Sequence, residues 1–294
     1  MDIAHLQAFV AVAEQRSFSR AASQLFLTQP AVSKRIAALE VELANPLFDR
    51  IGHQVQLTET GHALLPRARN ILLELEDTRR SIRNLSGQVG GQLSMVTSHH
   101  IGLHRLPPVL RHYSGDHPQV ELVLQFMESE QACQAVLHGD SELGVVTLPL
   151  TPPAELKFQA VWRDALYLVV APGHPLTRVT SLTPQALLDW PAILPMHGTF
   201  TRTLVEQAFA DLQAPAPVQV KPGTNNLETI KMMVGIGLGW SVLPQTLLDE
   251  ELACLHLPAL QLERELGVVW HAGRTLSNAA SAMLDCLQQS AKPG

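Results

Sequence analysis

Apolar residues recur along the first ninety positions at helical spacing. Leu6, Phe9, Val10 and Ala13 form one stripe, Ala21, Ala22 and Leu25 a short second one, and Val32, Ile36 and Leu39 a third at intervals of four and three. The small Ala21 and Ala22 let a following helix cross closely. Ser19 is placed to cap the second helix and Thr28 the third, while Pro30 falls in a first turn, where its missing amide costs nothing. Gln29, Ser33, Lys34 and Arg35 lie away from the buried stripe. Two helices joined by a tight turn, the second with a polar N-terminal face, make a helix-turn-helix, an element that enters the major groove of DNA. The plainer alternative is a helical hairpin with solvated charges. The coincidence of caps, small residues and polar face argues against it.

Downstream, Leu47-Phe48-Asp49-Arg50 opens a short segment ending at Leu57-Thr58, and its middle alternates as a small hairpin would. Beside a helix-turn-helix this is a wing. Thr58 then caps a long helix. Leu64, Ala68, Ile71, Leu75, Thr78, Ile82 and Leu85 follow at 4, 3, 4, 3, 4 and 3 residues, a heptad seam. From Thr60 to Leu85 the helix spans roughly 39 Å at 1.5 Å per residue, with a kink expected at Pro66. A second copy of the chain is the simplest partner for so narrow a stripe; packing on its own chain is the alternative. Ser86-Gly87-Gln88-Val89-Gly90-Gly91 reads as a hinge.

Beyond the hinge, strands and helices alternate. Strands are expected at 92–97, 121–126, 143–147, 166–171, 192–195, 218–221, 239–243 and 267–271. Helices are expected at 103–113, 130–137, 183–189, 201–211, 226–234, 244–250 and 277–289. The βα alternation predicts mostly parallel sheets covered by helices.

At 294 residues, with 46% hydrophobic and 16% charged, the chain can bury more than one core. No apolar run approaches the roughly 20 residues of a membrane span, and Met-Asp-Ile-Ala-His is no secretory signal. Cys133, Cys254 and Cys286 lie far apart without a Cys-x-x-Cys pair, which fits a reducing cytoplasm and no disulfide or zinc framework. The net charge of −6 divides unevenly: residues 1–90 carry 10 Lys+Arg against 9 Asp+Glu, and residues 91–294 carry 11 against 18. Attraction to phosphate must therefore come from local patches.

The whole chain resembles the LysR-type transcriptional regulators. The resemblance begins at Leu6-Gln7-Ala8-Phe9, runs through Ser17-Phe18-Ser19 and Ala21-Ala22, and is strongest at Thr28-Gln29-Pro30-Ala31-Val32-Ser33. Leu39-Glu40, Leu47 to Arg50, Leu57 to Gly61, Pro172 to Leu176 and Val234 to Gly239 continue it. It implies a multidomain chain: an all-α winged helix-turn-helix head over 1–58, a linker and dimerisation helix over 59–86, and a hinge at 87–91. An α/β effector domain follows, with two Rossmann-like lobes of the periplasmic-binding-protein kind. Lobe I comprises 92–162 and 267–294, lobe II 163–266, with crossings near 160–165 and 264–267. Also implied are tetramers on interrupted inverted repeats, a small co-inducer between the lobes, and contact with RNA polymerase. Two positions depart from the family: Ala44 stands where Gly is frequent, and His53 where the wing has a second basic residue.

For DNA, Gln29, Pro30 and Ser33 are expected at base edges, and Ser19, Lys34, Arg35 and Arg50 on the backbone, with Thr28 and His53 beside them. The seam residues Leu64, Ala68, Ile71, Leu75, Ile82 and Leu85 are expected to pair the chain with itself. Effector contacts are expected at strand ends and helix starts, where free N–H groups favour a small carboxylate-type anion. These are Thr97, Ser98, His99 and His100, then Glu128 and Ser129, then Thr147. His197, Thr199, Thr201, Asn225 and Asn226 complete the set, each weighed against a plain capping role.

His99, His100, His104, His112 and His117 crowd one region but lack a local carboxylate or thiol, so no metal or other cofactor is expected. Gly235-Ile236-Gly237-Leu238-Gly239 lacks the third glycine of a dinucleotide loop, since Trp240 stands there. An enzyme is not expected. Two readings stay open beside the ligand-controlled regulator: an enzyme-like α/β domain fused to a DNA-binding head, and a DNA-binding regulator without a ligand.

Overall fold

In the computed structural model, every helix of the N-terminal unit starts on a side chain that accepts a backbone amide. The structure describes residues 1–51, 54–213 and 223–290, and the chain divides into two units at Ser86/Gly87. Asp2 caps α1 (Ile3–Gln15), Ser17 caps α2 (Phe18–Gln24), Thr28 caps α3 (Gln29–Leu43) and Thr58 caps α4 (Glu59–Asn84). The second cap corrects the expectation for Ser19. Phe18 already has helical geometry, so Ser17 accepts from Arg20 N at 3.3 Å and Ser19 lies exposed within the helix. Between α3 and α4, β1 (Phe48–Ile51) and β2 (Gln54–Leu57) pair antiparallel.

Most of the expected stripe positions form the core of this unit: Leu6 and Phe9, then Ala21 and Ala22, then Val32, Ile36 and Leu39 are buried, while Val10, Ala13 and Leu25 are half-buried and Val12, outside the expected stripe, is buried. Phe9 and Phe18 pack on Phe48 at ring distances of 5.4 and 5.8 Å, tying the hairpin to α1 and α2. Gly61 permits a close approach, because a β-carbon there would stand 2.3 Å from Leu47 O. Pro66 lies inside α4 without ending it.

The second unit opens with two βα turns. β3 (Gly91–Thr97) leads to α5 (His99–His104) and α6 (Leu106–Asp116), then β4 (Val120–Phe126), α7 (Ser129–His138) and β5 (Leu143–Thr147). A single helix was expected over 103–113. Two form because Pro107 and Pro108 cannot donate back across Arg105, so a new helix begins at Leu106. The 15-residue β6 (Leu156–Val170) then passes into α8 (Pro184–Leu188), α9 (Phe200–Asp211), α10 (Leu227–Gly235), β7 (Ser241–Pro244) and β8 (Ala253–Leu255). β9 (Leu262–His271) returns, and α11 (Asn278–Ser290) covers the first half.

Strands are ordered β4-β3-β5-β9-β6-β7, with β8 also on β6. The expectation of mostly parallel pairing fails here. β3 is parallel to β4 and β5, but β9 on β5, and β9, β7 and β8 on β6, are antiparallel. The reason is that β6 and β9 are long crossing strands that pair with each other and serve both halves, with a register shift between Ala160 and Trp162. The expected strand at 192–195 is reduced to a bridge from Ala192 to Trp240, and the helix at 244–250 to a 3-10 turn, Gln245–Leu247, with no side-chain cap. The strand expected at 218–221 lies outside the described residues.

Candidate functional site

On α3, burial of Val32, Ile36 and Leu39 turns the opposite face outward. Gln29, Pro30 and Lys34 are exposed, and Ser33 and Arg35 half-exposed. Thr28 is exposed and holds the helix start, its hydroxyl accepting from Ala31 N. Gln29 Nε2 donates to Ser33 Oγ at 2.8 Å across one turn, so the two expected base readers are coupled before any partner arrives. Arg50 lies in β1 opposite Val55; nothing further is described of its side chain, and His53 lies outside the described residues.

In the second unit a cleft open to solvent lies where the starts of α5, α7, α9 and α10 converge. Ser98 caps α5, Thr199 caps α9 and Asn226 caps α10, while Glu128 begins α7 without a cap bond. Ser129 Oγ accepts from Thr147 N at 3.1 Å, and Asn225 Oδ1 from Met196 N at 2.8 Å. Two contacts cross the cleft. Glu130 Oε1 accepts from Phe200 N at 2.5 Å, and His104 Nε2 meets Glu228 Oε1 at 2.9 Å.

The floor is charged. Arg264, in β9, donates from Nε to Asp164 Oδ2 at 2.8 Å and from Nη1 to Thr201 Oγ1 at 2.7 Å, and Asp164 Oδ1 accepts from Arg105 Nη2 at 3.0 Å. Burial works against the Arg264 charge and Asp164 supports it. Beside them His100 is 7% exposed, with Nε2 3.3 Å from Thr246 Oγ1 and Nδ1 buried without a partner among the described residues. Burial, reinforced by Arg264, pulls its pKa down to about 3, so the ring is neutral at physiological pH.

Residues 3–62 match the family described as "Bacterial regulatory helix-turn-helix protein, lysR family", and residues 86–292 match the "LysR substrate binding domain". The chain belongs to the LysR family of transcriptional regulators. As such it is a DNA-binding regulator of a family that responds to small-molecule effectors through the second unit. Among curated relatives, an uncharacterized HTH-type regulator of Azotobacter vinelandii is 67% identical over 108 residues, 37% of this chain and 75% of that protein. The RuBisCO operon transcriptional regulator of Acidithiobacillus ferrooxidans is 31% identical, with 98% and 94% covered. Of solved structures, a full-length OxyR variant from Pseudomonas aeruginosa shares the fold at TM-score 0.70 and 23% identity, with 99% and 94% covered. CbnR complexed with its target DNA does so at TM-score 0.64 and 20% identity, with 99% and 100% covered.

In this LysR-family chain Ser98, His99, His100, Glu128, Ser129, Thr147, Thr199, Thr201, Asn225 and Asn226 all line the cleft. Two expected residues do not. Thr97 is buried and donates to Val145 O at 2.8 Å, a bond between strands, and His197 is exposed and paired with Glu206 at 3.0 Å. Sequence reasoning missed Glu130, Glu228 and Arg264 in the lining. A signal for Arg264 exists: it shares the inward face of β9 with Leu262 and Leu266, an apolar register where an arginine needs a reason. The rings of His100 and His104 lie 4.9 Å apart at a tilt, but no group of three metal-ligating side chains occurs among the described residues. Cys133 and Cys286 are buried and Cys254 exposed, and burial raises all three thiols, that of Cys133 to about 12.

Proposed function

We propose that α3 reads base edges through Gln29, Pro30 and Ser33, with Ser19, Thr28, Lys34, Arg35 and the wing residues Arg50 and His53 against the sugar-phosphate backbone. The observation that carries this reading is the outward polar face of α3, with its Gln29–Ser33 bond. Asparagine and glutamine amides match adenine in the major groove, and an apolar group suits the thymine methyl.

The regulator pairs with itself through α4. Leu64 and Ala68 are committed to the core of their own unit, together with Leu65 and Leu72. Further along, Ile71, Ile82 and Leu85 are 40%, 64% and 86% exposed and Leu75 is half-buried, leaving the later seam for a second copy. Pairs associate further to tetramers, work from the cytoplasm, and present DNA to RNA polymerase. A small polar effector enters the cleft between α5, α7, α9 and α10 and shifts the two halves of the second unit. The role is regulatory, with no reaction catalysed.

Footprinting of the purified protein on the promoter beside its own gene, against a scrambled duplex and with a metabolite panel, tests both parts. Protection of the promoter alone, altered by one metabolite, is the expected result. Equal protection of scrambled DNA refutes base reading, and a footprint unmoved by every metabolite refutes effector control.

A further inference from the structure

The charge of the cleft departs from that of a site built for an anion. Among the described residues, three carboxylates, Glu128, Glu130 and Glu228, line it, and the one guanidinium in the lining, Arg264, is already committed to Asp164. Among the described residues, and counting Arg105 as the second partner of Asp164, the fixed charges come to two positive against four negative. One amide each at the starts of α5 and α10, and two at the start of α9, are already answered within the chain, which lessens their draw on an anion. Ser98, Thr199 and Asn226 cap three of the four helices, and Glu130 takes the first amide of α9.

Glu128 is the carboxylate left over. It is half-buried, begins α7 without capping it, and accepts no hydrogen bond from a described residue. Burial and the neighbouring Glu130 hold its carboxyl above the ordinary range, with His99 acting the other way. A second group in the lining is also incomplete. His100 is more than nine-tenths buried with Nδ1 unpartnered among the described residues. Being neutral, it does not repel a cation, and it offers an acceptor or a donor according to tautomer.

We infer that the cleft takes an amine-bearing ligand, whose ammonium or guanidinium group seats on Glu128 while a polar portion reaches His100. This rests on the effector reading above and reverses the sign expected from the sequence. The flanking hydroxyls and amides of Ser98, Asn225 and Asn226 suit a polar, hydrogen-bonding body for the same ligand.

Calorimetric titration and thermal shift on the full-length protein test it, with putrescine, L-lysine and succinate as probes. Saturable binding of putrescine or lysine, absent for succinate, is expected. Glu128→Gln melts no lower than wild type, since it removes a disfavoured charge, and weakens amine binding by about tenfold or more, the worth of one charge-assisted hydrogen bond. Succinate binding without amine binding overturns the inference but leaves effector control standing. Undiminished amine binding by Glu128→Gln also overturns it. Silence from all three probes overturns the amine assignment, while the metabolite footprint still decides whether an effector acts at all.

Discussion

Asp164 and Arg264 stand directly opposite each other in the antiparallel register of β6 and β9, one hundred residues apart in sequence, and join side chains at 2.8 Å beneath the cleft. Both are almost fully buried, and Arg105 supplies the second bond to the carboxylate. The pair fixes the guanidinium that in turn holds Thr201, at the start of α9. Removing Asp164 leaves the Arg264 guanidinium as a bare charge in low dielectric, which costs about 3–5 kcal/mol, whereas removing Arg264 leaves the carboxylate paired with Arg105 and replacing both with apolar residues is close to neutral. Asp164→Asn should lower stability by about that 3–5 kcal/mol in urea unfolding of the effector unit, and Arg264→Met, which leaves Arg105 on the carboxylate, by less. Asp164→Leu combined with Arg264→Met should recover most of the loss. Additive losses in the double variant would contradict this coupling.

His100 makes the same unit sensitive to acid. Its pKa is about 3 in the folded state against an ordinary 6.5, and the groups acting on it are Arg264, Asp164, His104 and Arg105. Between those values the unfolded chain binds the proton and the folded one does not, so stability falls as pH drops through 6.5 and continues to fall toward 3. At pH 5 the loss is about 2 kcal/mol, at 1.36 kcal/mol per unit of proton-binding difference. His100→Gln should therefore show a smaller drop in unfolding free energy between pH 7 and pH 5 than wild type. An identical drop in both would show that another group carries the acid response.

In the DNA-binding head, Ala44 ends α3 in the left-handed region, at φ 52°. An L-residue pays roughly 1–2 kcal/mol there that glycine does not, and glycine gives part of this back through a freer unfolded chain. Ala44→Gly should raise the stability of the head by about 0.5–1 kcal/mol in denaturant melts without changing the DNA footprint. At Gly61 the opposite holds. A methyl group would meet Leu47 O at 2.3 Å, so Gly61→Ala should destabilise the junction of α4 with the hairpin by more than about 1 kcal/mol, as overpacking does.

These positions show what a sequence yields and where it stops. Thr28, Pro30, Val32, Ile36 and Leu39 each lie within four residues of the next, so spacing and capping chemistry alone delimit α3. The cap of α2 slips by two residues from Ser19 to Ser17 because both serines satisfy the same local rule. Helix starts around the cleft are local too, which is why Ser98, Thr199 and Asn226 can be named in advance. The resemblance to known regulators supplies their convergence, which spacing does not. What stays hidden depends on distant pairing. Nothing near Arg264 announces Asp164, and nothing near Glu130 announces the Phe200 amide, so the sign of the cleft emerges only when β6, β9, α7 and α9 are brought together. Thr97 fails for a related reason: a strand end looks like a ligand contact until Val145 takes its hydroxyl.

Gln29 offers the sharpest test of the recognition helix, because its amide is already held by Ser33 across one turn. A side chain fixed before binding loses less rotamer entropy on contact, so the bond favours specificity as well as affinity. Gln29→Ala should cut discrimination between operator and scrambled duplex by about 1–3 kcal/mol, the range for a bidentate base contact. Ser33→Ala should cost less, since it frees Gln29 without removing it. Lys34→Ala, by contrast, should weaken binding to both duplexes alike and reduce the dependence of affinity on salt by about one counterion. Competition titrations at two salt concentrations separate the two patterns. If Gln29→Ala weakens both duplexes equally and flattens the salt dependence, Gln29 touches backbone, and base reading must be sought elsewhere on α3.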